Sequence, residues 1–416
     1  MFSRMPLNCI PKEERIFSFL IVLMAWANVY ELPGVPVGIG EILFLFFIPF
    51  YCKRGMNFNF KSYEFGFILW FVYATLVTLI FFNYFDAPIN KFISIVRVAF
   101  YWILIFVFGK NLFNLDCFKK WMIVFSIALS GFIILQSVVY IFTGYFIPGF
   151  FLGAPLHDGS VMGYQMYEHS LYLAGFRGFI RPHGFLCESA HCCEFLSICM
   201  MTVVADFGMR FKNKLFIVLL NSVSMLLTLS SMGVVLLLFV WLIFICIEKR
   251  LSLFRWPIII VVCLFVFAVF TGAIETGSNA VERLVAIING EKIDGSSNAR
   301  LNNGLFFYLA LPFLFKLVGS GIGLFDYVVD SMNFGELSGR FINSFFGNLF
   351  TSGLFGTIIW NASLVIMFTK SNVLGKCLTS LFFLMSFGTN IFCQPQMVWI
   401  FLLIFADIKQ KKENLQ

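Results

Sequence analysis

Residues 121–142 read Trp-Met-Ile-Val-Phe-Ser-Ile-Ala-Leu-Ser-Gly-Phe-Ile-Ile-Leu-Gln-Ser-Val-Val-Tyr-Ile-Phe, with no Asp, Glu, Lys or Arg between Trp121 and Phe142. A helix of that length rises about 30 Å, the thickness of a bilayer's hydrocarbon core. The whole chain repeats the pattern. Of its 416 residues, 60% are apolar and only 12% charged, and the mean hydropathy is +0.90. Water-soluble domains carry about 25% charged residues, so a globule of this composition lacks the polar groups to cover its own surface. Lipid is therefore the solvent for most of the chain. Disorder, a secreted disulfide scaffold and a water-soluble enzyme are excluded.

Working outward from 121–142, apolar windows of about 20 residues recur near 16–32, 35–52, 65–84, 92–108, 185–207, 215–231, 232–247, 257–272, 343–368, 377–393 and 396–408. The expected fold is all-α, a polytopic membrane bundle of about 12 (10–12) transmembrane helices. Its segments are helices over 1–142, a loop over 143–184, helices over 185–272, a large loop with an interfacial helix over 273–342, and helices with a tail over 343–416. The first apolar run follows Arg4, Lys12 and Arg15 and has no small-residue cleavage site, so it reads as an anchor. The 58 phenylalanines read as packing bulk. With the N-terminus in the cytoplasm, most of the 29 Lys and Arg residues fall in short inside loops, as the positive-inside rule requires. Both termini are then cytoplasmic and the two long loops lie outside. The net charge of +7 follows this topology. It forms no basic face or arm, so no nucleic-acid partner is expected.

Some basic residues escape that rule. Lys91, Arg177, Arg181, Arg283, Lys292, Arg300, Lys316 and Arg340 fall outside, and Arg97 lies within a span. An enzyme facing away from the cytoplasm has no nucleotide supply, so its donor must arrive already activated. In a bilayer the natural form is a lipid-linked phosphate or pyrophosphate, and arginine's planar fork suits that group. The densest cluster is Arg177 to Phe195. There Arg181-Pro182-His183-Gly184 is expected to turn into a helix on which Glu188, His191 and Phe195 share a face. Glu188 reads either as a general base or as a carboxylate stabilised at a helix N-terminus. His191 reads as a second polar contact or as a packed residue. Cys187, Glu188, His191, Cys192 and Cys193 are crowded but lack zinc-site spacing, so no metal or other cofactor is expected. Arg97, Glu41 and Glu194 are ionisable residues inside spans. Arg97 is expected to pair with one of the two carboxylates or to hold substrate phosphate.

Four motifs, in order, resemble the O-antigen polymerase and ligase superfamily of bacterial membrane glycosyltransferases. They are Arg181-x-x-Gly184-x-x-x-Glu188; Leu227-Thr228-Leu229-Ser230-Ser231-Met232-Gly233; Arg300 with Gly319-Ser320-Gly321-Ile322-Gly323; and Asn343-Ser344-Phe345 with Gly353-Leu354-Phe355-Gly356. The resemblance covers about 180 to 360 by motif. Ser231 stands where many relatives carry arginine, and Ile342 where ligases tend to carry histidine, which tilts the resemblance toward polymerase. It implies an oligosaccharide on undecaprenyl pyrophosphate as substrate, the bacterial inner membrane as location, and a chain-length-determining co-polymerase as partner. Among site residues it implies Arg181 and Arg300 as pyrophosphate or transition-state contacts. Arg177 and Arg340 would be further anion contacts, and Glu188 would orient Arg181 or act as base. His191 and Asn343 would contact substrate, while Gly184, Gly321 and Gly323 would allow close backbone approach. A ligase and a lipid-linked oligosaccharide transporter are the competing functions.

Overall fold

The computed structural model describes residues 10–32, 35–52, 60–84, 92–149, 181–186, 188–248, 304–331, 342–392 and 394–413. Arg177, Arg300, Arg340 and the apolar run 257–272 lie outside them. In chain order the elements are α1 (Lys12–Ala27), β1 (Glu31–Leu32), β2 (Val35–Gly38), α2 (Ile39–Cys52), α3 (Ser62–Phe82) and α4 (Phe92–Ile103). A π-helical stretch (Leu104–Phe108) leads on to α5 (Gly109–Leu112) and α6 (Leu115–Thr143). Then come α7 (Ser189–Val204), α8 (Phe211–Leu227), α9 (Ser231–Ile247), α10 (Gly304–Ala310), α11 (Phe313–Val318) and α12 (Phe325–Ser331). The last are α13 (Ser344–Lys370), α14 (Val373–Gly388) and α15 (Pro395–Glu413). The described chain is helical apart from one short antiparallel ribbon, β1 on β2.

Apolar helices of membrane-spanning length mark a membrane protein. Four runs reach that length among the described residues: Tyr63–Phe82, Phe92–Leu112, Leu115–Thr143 and Ser344–Lys370. The count of about 12 is thus met only in part. Helices α7, α9 and α14 are apolar but have 16 or 17 residues, about 24 Å of rise. The chain divides into two units, each discontinuous in sequence: Met1–Gly55 with Leu112–Val285, and Met56–Asn111 with Ala286–Gln416.

In the first unit, α6 begins at an Asn114 cap whose side chain accepts from Cys117 N and ends at Gly144 in the left-handed conformation. Its serines are satisfied internally. Ser126 and Ser137 donate to the carbonyls of Ile123 and Ile133, and Ser130 donates to Asn221 Oδ1 at 2.9 Å. Helix α7 packs on α6, α8 and α9. Every one of its residues except His191 is buried, as expected of a helix apolar on all sides.

In the second unit, α3 lies along α13. Gly66 leaves no room for a Cβ against the Ser363 hydroxyl, so small residues set the helix separation. Trp70, Trp102 and Trp360 form an aromatic triad with centroids 5.0–6.4 Å apart, extended by Phe67 and Phe401. Edge-to-face pairs of this kind contribute about 1 kcal/mol each beyond burial.

Helix α13 is broken. Gly353 has φ 60 and ψ −167, outside helical space. A straight helix of 27 residues would rise about 40 Å, against about 24 Å for α14. The two are joined by a two-residue turn at one end. Yet at the other end Asn343 Nδ2 donates to Phe387 O at 2.8 Å and Ser344 N to Thr389 O at 3.0 Å. Those bonds close only if 344–352 turns back at Gly353. Only the part after Gly353 runs the length of α14.

Two local expectations are corrected. The helix at Glu188 begins at Ser189, and Glu188 is its N-cap with extended φ of −133, so Glu188 does not share a helix face with His191. The interfacial helix expected within 273–342 is, over 304–318, two helices, α10 and α11, because Pro312 lacks the N–H that would continue the first.

Candidate functional site

The turn from Arg181 to Leu186 is fixed by a residue of α6. Gly184 N donates to Gln136 Oε1 at 2.9 Å, and Gln136 Nε2 donates to Ile147 O at 2.8 Å and Gly184 O at 3.3 Å. Gln136 is fully buried, and its amide satisfies backbone groups that no helix or sheet would reach. Gly184 adopts φ +63, and its missing Cβ would meet Leu129. Its close approach is therefore to α6.

His183 is buried beside Phe146, and its Nδ1 lies 2.8 Å from Leu186 O. A carbonyl only accepts, so Nδ1 carries the proton. Burial pushes the His183 pKa down to about 4 from 6.5, against an opposing pull from the Leu186 carbonyl. The unfolded chain therefore takes up a proton near pH 6.5 that the folded chain refuses until about pH 4. Stability is constant above that window and falls as pH drops through it, by about 3 kcal/mol in all. Thermal melts of His183→Asn, which keeps a donor for Leu186 O, are expected to lose this acid slope. An unchanged slope would show that other groups carry it.

Arg181 is half-buried and donates through Nη2 to Ser189 Oγ at 3.0 Å. That bond holds the guanidinium over the first turn of α7. One turn further, Cys193 Sγ sits 3.1 Å from Thr228 Oγ1, in the turn between α8 and α9. Gly233, in the first turn of α9, would place a Cβ 2.5 Å from Cys193 Sγ. Ser230 caps α9, its side chain accepting from Gly233 N. Cys193 lies within electrostatic range of both Arg181 and Glu194. The N-termini of α7 and α9 are thus side by side with Arg181 beside them. Each helix end presents unsatisfied N–H groups and a partial positive charge, and an arginine adds a full one. An arrangement of this kind has the charge and donors to receive an anion of phosphate type. Leu229, between the caps, has φ 50, the one positive value for a non-glycine among the described residues. Strained backbone of this kind concentrates at functional turns.

The second pair of motifs also meets, in the second unit. Residues 318–322 cross the break in α13. Ser320 N donates to Phe350 O at 2.8 Å and Gly321 N to Thr351 O at 3.0 Å. Those carbonyls would serve residues 354 and 355 in an unbroken helix. Tyr73 Oη donates to Val318 O, and Ile322 N to Thr78 Oγ1 at 2.7 Å. Gly319, Gly321 and Gly323 all have positive φ. Cβ atoms on Gly319 and Gly321 would meet Gly353 N at 2.6 Å and Thr78 Cα at 2.7 Å. These two glycines admit protein backbone, which accounts for them without a ligand. Asn343 caps α13, its Oδ1 accepting from Phe346 N while its Nδ2 reaches Phe387 O, so both ends of its amide serve the fold.

Of the sequence-predicted site residues, Arg181, Gly184, Glu188 and His191 gather in the first unit. Glu188 and His191 flank the start of α7, and both side chains are partly exposed there. Arg97, Gly321, Gly323 and Asn343 belong to the second unit, whereas Glu41 and Glu194 belong to the first. Gln136 and Cys193 were missed. Gln136 had a signal, being the one carboxamide in the run 121–142. Cys193 had none, because its role depends on which helix lies opposite. Comparison with protein-family models and with curated proteins gave no match.

Proposed function

We propose that this chain is a membrane glycosyltransferase of the bacterial inner membrane. It transfers a growing repeat-unit glycan from undecaprenyl pyrophosphate to the free sugar end of a new lipid-linked unit at the periplasmic face. One observation supports this above the others. The Arg181 motif and the Thr228–Gly233 turn, 40 or more residues apart in sequence, meet where two helix N-termini and a guanidinium converge. A departing pyrophosphate needs that kind of stabilisation, because its charge develops as the sugar–oxygen bond breaks. In this reading Arg181 contacts the pyrophosphate, Glu188 orients Arg181 or accepts the acceptor hydroxyl's proton, and His191 lines the approach. Arg177 supplies further positive charge.

The test is the surface polysaccharide of a deletion strain. A polymerase defect leaves one repeat unit attached to the lipid core. A ligase defect leaves none, and Ile342 in place of histidine favours the former. A strain with normal long chains would refute the enzyme reading. Purified protein in liposomes containing lipid-linked repeats separates it from a transporter, which would not lengthen the glycan.

A further inference from the structure

One end of the second unit gathers lysines from five places in the chain. Lys61 stands at the N-cap of α3 and Lys370 in the last turn of α13. Their ammonium groups lie 5.9 and 5.7 Å from the centroid of the same ring, that of Tyr63. Lys110 of α5 reaches Glu64 Oε2 at 2.5 Å and lies 4.8 Å from the ring centroid of Phe60. Lys411, in the last turn of α15, donates to the carbonyls of Lys370 and Ser371. Lys376 of α14 lies 5.9 Å from the ring of Phe368.

The fold accounts for part of this cluster. Lys110 offsets the charge of Glu64, which is fully buried. Lys370 and Lys411 lie at helix C-termini, where the dipole favours a cation. Lys61 is different. It opens α3, at the end where the dipole opposes positive charge and where Ser, Thr, Asp or Asn is preferred. Among the described side chains two carboxylates stand with these lysines, and both are committed to backbone N–H groups. Glu64 Oε2 accepts from Lys61 N at 2.7 Å, and Asp407 Oδ2 from Asn372 N at 2.7 Å and Gly375 N at 3.1 Å. Five ammonium groups thus share this end with two carboxylates. A position that breaks a local rule, as Lys61 does, is where function is expected.

The level of the cluster decides the class of ligand. Tyr63 opens one run of membrane-spanning length and Lys370 closes another, so the ammonium groups stand where hydrocarbon gives way to headgroups. Just inside that level, α3 and α13 turn apolar side chains outward: Phe65 and Val365 are each 60% exposed and Phe368 38%. A free anion or an acidic peptide makes no use of those side chains. A phospholipid uses both levels, its acyl chains against the apolar groups and its phosphodiester against the lysines. Basic pockets between helix ends receive anionic headgroups in this way. A zwitterionic headgroup brings an ammonium of its own, which the same lysines repel. The geometry points to a binding site for one anionic phospholipid at this end of the second unit, its phosphodiester held by Lys61 and Lys370 beside Tyr63. The site needs no part of the function proposed above.

The test titrates the full chain, in a neutral maltoside detergent, with dioleoyl phosphatidylglycerol and reads Tm at each concentration. Dioleoyl phosphatidylcholine, inorganic phosphate and poly-glutamate are titrated in parallel. A ligand of the folded chain raises Tm by mass action. Phosphatidylglycerol should give a saturable rise and the other three none. Lys61→Gln with Lys370→Gln should raise the half-saturating concentration about fivefold per lysine, the fold-change equivalent to about 1 kcal/mol. Lys61→Arg with Lys370→Arg should keep the response, and so should Lys119→Gln with Lys120→Gln in the first unit. Each rise is measured from the variant's own lipid-free Tm, which separates lost binding from lost stability. Lys370→Gln alone, at an exposed helix end, gives the same reading should the glutamine pair fail to fold. A flat phosphatidylglycerol titration overturns the site. So does a rise given as readily by phosphatidylcholine, phosphate or poly-glutamate, since the ligand would then be an acyl chain, a free anion or an acidic segment. A wild-type response in the Lys61 and Lys370 glutamine variants overturns it too, as does an equal loss in the Lys119 and Lys120 pair, which would show diffuse surface charge.

Discussion

Gly353→Val is expected to lower the stability of the second unit by about 3–5 kcal/mol, the largest effect of any single substitution discussed. Three costs add. The position needs φ 60 with ψ −167, a region essentially closed to residues with a Cβ. The new side chain would meet Gly319 N and Leu317 O, which are backbone atoms and cannot swing aside. Moving 318–322 away would also release the carbonyls of Phe350 and Thr351 from Ser320 N and Gly321 N. Each such loss costs about 1 kcal/mol or more when the carbonyl stays buried. Thermal unfolding in a mild detergent reads the result as a fall in Tm of about 6–20 °C, with reduced yield from membranes. Wild-type Tm in Gly353→Val would mean that α13 is straight in the membrane.

Arg181→Ala is expected to abolish long-chain polymer while leaving protein levels intact. Removing one preorganised donor from a developing oxyanion costs about 10²–10³ in rate, and Arg181 brings a full charge as well. Its loss should not unfold the turn, because Gln136 holds Gly184 and the Leu186 carbonyl holds His183. Arg181→Lys should recover only part of the activity, since an ammonium cannot present two parallel donors. Ser189→Ala, which removes the hydroxyl that holds Nη2 at 3.0 Å, should give a milder defect of about tenfold. Long-chain polysaccharide of normal length in Arg181→Ala would remove the arginine from the site.

The sequence made the solvent and the helical class plain, because burial in lipid demands long uncharged runs, and 65–82 and 121–143 are such runs. It was less informative wherever a helix is shielded by other helices. The 16 residues of α7 are as apolar as a span, and composition cannot distinguish a lipid neighbour from a protein one. The break in α13 was invisible for a related reason. Gly353 sits in a continuous apolar pattern, and glycine within a helix is common enough to pass unremarked. Its meaning depends on Gly319 across the gap. The Arg181 turn was legible because proline, glycine and charge together interrupt an apolar pattern. Its partner Cys193 was not, since a buried thiol looks the same whether it touches a hydroxyl or a methyl group.

The enclosure of α7 has a consequence for how the protein meets its surroundings. A rod whose flanks touch only other helices has no acyl chains against it. Membranes of different thickness act on the outer helices by tilt and stretch, and α7 feels them only at second hand. The height at which Arg181 stands is therefore set by Gln136 and the packing beneath it, and the chain can keep that level constant while the lipid composition around it changes.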